Sequence, residues 1–204
     1  LRRIGKSGLL RKLVGSSVAA FFAMGSLAPF AQANTWDGGA GTGNWADINN
    51  WNPNGLPNFG AGINFAGAVQ TITNNNQTGV TTGITFDGGG GAFTLGGNAV
   101  NNSGNIINNS AANQTINLGV TVGNAQTWQT NAGGSMTFGA VTLNNTLQTT
   151  AANGNINLNG VVGGGSGITH TAGTLNLANG GNTFTGALLI NGGTVTTVAG
   201  SIAD

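Results

Sequence analysis

The run Thr115-Ile116-Asn117-Leu118-Gly119-Val120-Thr121-Val122 decides the fold class. Every second residue is apolar, and the alternate positions carry Asn, Gly or Thr. That period of two is the mark of an extended chain with one buried and one solvated face. The same alternation recurs on both sides. It pairs Ile84 with Phe86, Phe93 with Leu95, Met136 with Phe138, Val141 with Leu143, Ile156 with Leu158, and Leu175 with Leu177, with Val195 near Val198 in the last stretch. No 3.6-residue apolar period appears, so the chain reads as all-β.

Between these runs lie clusters of Gly and Asn: Asp87 to Gly91, Asn98, Asn101 to Gly104, Asn131 to Gly134, Asn144-Asn145, Gly163 to Gly167, Asn179 to Asn182, and Asn191 to Gly193. Both residue types reach the left-handed backbone region at low cost, and corners need that region repeatedly. Short strands with regular corners fit either a sandwich or a solenoid. Charge decides between them. The basic residues are Arg2, Arg3, Lys6, Arg11 and Lys12, and beyond Leu13 only Asp37, Asp47, Asp87 and Asp204 are charged. Stacked coils place like residues over like. A repeated charge would repel itself there, whereas Asn and Thr ladders satisfy one another. The expected fold is therefore a β-solenoid. Clean alternation and an apolar content of 39 % argue against a disordered tract.

The basic charge is confined to the start. Arg2 to Lys12 precede an apolar stretch, Leu13 to Phe30, and Ala31-Gln32-Ala33 has the small-x-small pattern of a cleavage site. Residues 1–33 thus read as a secretory signal peptide, and the competing reading is a membrane anchor. Cysteine is absent, so no disulfide staples the exported part. Residues 34–66 hold three of the four tryptophans and read as an N-terminal Trp-rich capping module, with solenoid coils from 67 to 204. The first residue is Leu1 and strand-like sequence runs up to Asp204, so an incomplete chain with further coils is expected.

The stretch TLNLANGGNTFTGALLINGGTVTT, from Thr174, resembles the autotransporter-associated β-strand repeat of bacterial surface proteins. Gly173, Thr174, Leu175 and Leu177 match its first strand. Asn182, Thr183, Phe184, Thr185 and Gly186 match its turn and aromatic, and Ile190, Gly193, Thr194 and Val195 match its second strand. Leu188 stands where Thr is usual, and Val195 where Leu is usual. The opening from Trp36 to Asn58 is similar to the N-terminal module of such proteins, with Asn58 where Asp is common. The resemblance implies a right-handed parallel β-helix, exposed at the cell surface or outer membrane, adhesin-like and without catalysis or cofactor. It also implies a membrane barrel translocator downstream.

Candidate sites are few. His170 has no second His, no Cys and no carboxylate nearby in sequence, and reads as structural at a wet strand end. Asp37, Asp47 and Asp87 could form a carboxylate pair for glycoside hydrolysis, but each sits in a Gly- or Asn-rich turn where Asp caps backbone donors. A polysaccharide lyase lacks its basic residue here. Trp36, Trp45 and Trp51 are expected either to cap the solenoid or to stack on glycans of a host or neighbouring cell. Nucleic acid is excluded as a partner, since phosphate recognition needs Lys and Arg. No metal site or phosphate-cradling loop is expected.

Overall fold

The computed structural model describes residues 33–202. The signal-peptide reading lies outside them, apart from Ala33. The described residues form a parallel β-solenoid of about six turns.

Three columns of strands make three faces. The first contains Asn34–Trp36, Ile63–Phe65, the C-terminal parts of Thr81–Phe86 and Val100–Asn108, Gln126–Thr130, the N-terminal parts of Leu147–Leu158 and Ile168–Leu177, and Leu188–Ile190. The second contains Ile72–Asn75, Thr94–Gly97, Gln114–Ile116, Met136–Phe138, the C-terminal parts of the two long strands, and Thr194–Thr197. The third runs from the start of Thr81–Phe86 through the start of Val100–Asn108, Val120–Val122 and Val141–Leu143 to Val162–Gly164. All of these pairings are parallel. Among the described residues the one antiparallel pair joins Asn34–Trp36 to Trp51–Asn52.

Register is fixed by the inward side chains. On the first face Ile63, Ile84, Ile106, Trp128, Thr149, His170 and Ile190 lie over one another, 20 to 22 residues apart. On the second face the column is Thr73, Leu95, Ile116, Phe138, Leu158, Leu177 and Thr197. On the third it is Val100, Val120, Val141 and Val162. Slipping one coil by a single residue would turn its apolar set outward, so the alternation alone specifies the stacking.

The quoted run Thr115 to Val122 behaves as the alternation predicts, with Ile116, Leu118, Val120 and Val122 buried. It is not one strand, however. It turns a corner at Asn117–Gly119, between Gln114–Ile116 on the second face and Val120–Val122 on the third. The alternation survives the corner because Leu118 still points inward. The turn signal at Asn101 to Gly104 is a different case. There the chain stays extended within Val100–Asn108 and bends between two faces. Gly83 and Gly104 stack at this bend, where a Cβ on Gly83 would lie 3.4 Å from the Gly104 Cα.

The solenoid ladder starts inside the segment read as a cap. Asn34–Trp36 pairs in parallel with Ile63–Phe65, which pairs in turn with Thr81–Phe86.

Candidate functional site

The three N-terminal tryptophans are fully buried. Trp36 meets Trp51 edge to face at 5.1 Å between centroids, and Trp45 stacks on Phe59 at 6.1 Å. Phe65 continues the cluster onto Phe86 and Phe93. Each indole N–H is satisfied inside: Trp36 donates to the Gln70 carbonyl (3.1 Å), Trp45 to Thr73 Oγ1 (3.0 Å) and Trp51 to the Trp45 carbonyl (2.9 Å). Stacking on a sugar needs an exposed ring face, so the glycan-contact expectation for Trp36, Trp45 and Trp51 is corrected: in this structure they are core. The burial of Trp128, stacked on Phe138 at 4.1 Å, follows the same rule.

The carboxylates serve turns. Asp37 accepts from the Gly39 N–H (2.9 Å). Asp47 accepts from the Asn49 N–H (3.2 Å) and from the Thr42 hydroxyl (3.1 Å) at the start of a short 3-10 turn. Asp87 sits at a corner, and burial pushes its carboxyl above the usual carboxylate range. Among the described residues no group of three or more His, Cys, Asp or Glu could hold a metal ion.

His170 is not at a wet strand end. It is fully buried on the first face, directly over Thr149. Its Nδ1 lies 2.9 Å from Thr149 Oγ1 and its Nε2 lies 3.2 Å from the Gly173 carbonyl oxygen. The signal was present in the alternation: Ile168 and His170 are two apart, and Ile168 is core.

Sequence reasoning also missed a polar strip inside the solenoid. Asn102, Asn108, Gln114, Gln126 and Thr130 are all buried. Asn108 Nδ2 donates to the carbonyls of Ala112 (3.1 Å) and Gly134 (3.0 Å), while its Oδ1 accepts from the Ser110 N–H (3.0 Å). Gln114 Nε2 reaches the Ala112 and Gly91 carbonyls. Asn102, Asn108, Gln114 and Gln126 satisfy backbone groups that the corners leave without ladder partners, whereas the Thr130 hydroxyl has no partner among the described residues.

Residues of the repeat-like motif divide between structure and surface. Asn182 is buried, its Oδ1 accepting from the Val162 N–H (2.8 Å) and its Nδ2 donating to the Ser201 carbonyl (2.9 Å). Phe184 is buried beside it. Thr183, Thr185 and Thr194 are exposed, Gly186 packs closely on the Ser166–Gly167 backbone, and Gly193 takes a left-handed φ of 77° above Gly173.

Two hollows lie end to end on the outside of the first face and meet at Asn105. Their volumes are about 420 and about 370 Å³. The smaller has the stacked Gly83 and Gly104 in its floor. The larger is edged by Asn105, Thr127, Thr146, Gln148, Thr169 and Asn191. Asn105, Thr127, Gln148 and Thr169 form one outward column, a residue from each successive coil.

The fold and this surface define a class: a parallel β-solenoid, nearly uncharged, with a polar gutter along one face. No protein-family model, curated protein or solved structure matches the chain.

Proposed function

We propose that the chain is an exported, non-catalytic passenger-like segment of a bacterial surface protein, with a structural or adhesive role. The observation that carries this reading is the solenoid itself. Coils of about 20 residues stack into an elongated body whose described residues contain no Lys, Arg or Glu. Such a body offers extent and regular surface instead of an enclosed reactive pocket. The basic start, the apolar stretch and Ala31-Gln32-Ala33 support export with cleavage after Ala33, and the repeat-like stretch from Thr174 supports surface display. In this reading the Trp layer closes one end of the stack, shielding core and strand edges from water. The downstream barrel implied by the resemblance would serve as translocator.

The test is expression of the full chain in a Gram-negative host. Intact-mass analysis of the secreted or surface fraction should return a protein starting at Asn34. Retention of the uncleaved chain in the inner membrane would overturn export. An enzyme reading predicts depolymerisation of pectin-like polymers, lost in Asp37→Asn or Asp47→Asn. Both carboxylates are already engaged with turn donors, which weighs against it.

A further inference from the structure

Along parts of the surface, Asn and Thr side chains bond one another from coil to coil. Along the second face Asn157 Nδ2 donates to Thr137 Oγ1 (3.2 Å), Asn176 donates to Asn157, and Thr196 donates to Asn176. At the corners Asn131 donates to Asn109 (2.7 Å), and Asn153 donates to the Asn131 carbonyl (3.0 Å). These rungs hold neighbouring coils together.

The gutter on the first face differs in gathering free polar groups inside a hollow. Thr127 donates to Gln148 Oε1 (3.3 Å), and Asn105 Oδ1 accepts from the Thr127 N–H (2.9 Å). The Nδ2 of Asn105, the Nε2 of Gln148, the hydroxyls of Thr146 and Thr169, and the side-chain amide of Asn191 make no hydrogen bond to another described residue. A concave strip thus carries free donors and acceptors at the coil spacing of about 4.8 Å. The column Asn105, Thr127, Gln148 and Thr169 is polar through four coils; in the fifth, Leu189 lies over Thr169 and Asn191 edges the hollow beyond it.

We infer that this gutter binds an extended, uncharged polysaccharide lying along the solenoid axis. Its chemistry selects that ligand. No Lys or Arg lines the gutter to pay for desolvating an anionic polymer. The backbone groups of the floor are engaged in the coil-to-coil ladder, so a peptide strand finds no open edge there. A neutral glycan supplies hydroxyls along its length that match free amides and hydroxyls, while the glycine-floored hollow beyond Asn105 leaves room for the chain to continue. With no aromatic platform, binding rests on many weak hydrogen bonds and strengthens with ligand length. The inference is independent of where the chain is displayed.

The experiment is affinity gel electrophoresis and calorimetry of the full chain with dextran, laminarin, xylan, galactomannan and a chitin oligomer series. Polygalacturonate, heparin and an unstructured Asn/Thr-rich peptide serve as controls. At least one neutral polymer should retard the protein, longer oligomers should bind more tightly, and Gln148→Ala/Thr169→Val should weaken binding about tenfold, as expected for two lost hydrogen bonds. Asn117→Ala/Thr142→Val, exposed on other parts of the surface, should bind as wild type. Thermal melts confirm that both double variants fold. The inference fails if no neutral polymer binds, if the gutter variant binds as well as wild type, or if the peptide or a polyanion binds in preference.

Discussion

The N-terminal aromatic layer and the last coil obey the same alternation and end in opposite states. Trp36 and Phe65 occupy successive positions in one inward column, and both are fully buried. Ile190 occupies the neighbouring inward column over His170, yet is 53 % exposed, and Val195, over Leu175, is only half-buried. The residues differ little in apolar character. What differs is whether side chains lie on both sides of them along the axis. Trp36 has Trp51 and Phe65 against it, whereas Ile190 has a neighbour on one side among the described residues. In a solenoid, burial belongs to the stack and not to the residue.

Mutations can break this comparison. The largest effect is expected for Trp51→Ala, which removes a ring touching Trp36, Trp45, Phe59 and Phe65 and orphans an internal hydrogen bond. A loss of about 3–5 kcal/mol is expected from urea denaturation. Leu158→Ala, in the middle of the second-face column, should cost about 2–4 kcal/mol by the same measurement. Asn108→Ala should cost about 1–3 kcal/mol, because the Gly134 carbonyl and the Ser110 N–H lose this side-chain partner inside the core. Ile190→Ala should cost under about 1 kcal/mol. Equal losses for Leu158→Ala and Ile190→Ala would refute the argument that neighbours on both sides set burial.

The smallest effect concerns charge. Burial raises the Asp87 pKa above its unfolded value. The neutral acid is therefore the form better tolerated when folded. Its contribution is fully present below the unfolded pKa, near 4, and is lost as pH rises through the folded value. Asp87→Asn should melt slightly higher than wild type at pH 7, with the difference vanishing near pH 3. A gap that widens in acid would reverse the sign.

Much of the interior was legible in the sequence. Six of the seven alternating apolar pairs are core, because an Ile, Leu, Val, Met or Phe at period two has one sensible side. The seventh, Val195 with Val198, is spaced by three, so its members point to opposite sides, and Val195 itself is half-buried for the stacking reason above. His170 was legible only from its spacing to Ile168, and the buried Asn residues were illegible because their polarity competes with their position in the alternation. Asn102 and Asn108 look like surface residues and are buried, since a corner amide can satisfy several backbone groups at once. The tryptophans were ambiguous for a related reason: aromatics serve equally for stacking on a ligand or filling a core, and only packing decides. The gutter could not be read at all. Its residues are the same Asn, Thr and Gln found elsewhere, and what sets them apart is the hollow that several of them line together.

The ladder has a mechanical consequence. On all three faces the inter-strand bonds join one coil to the next, roughly along the axis, so a pull applied to the chain end at the last coil loads a few bonds at a time. Coils should peel off singly, each releasing 20 to 22 residues, or about 70 Å of extended chain. A force–extension trace would then show a low, evenly spaced sawtooth instead of one tall rupture, ending on the aromatic layer as the last and stiffest step.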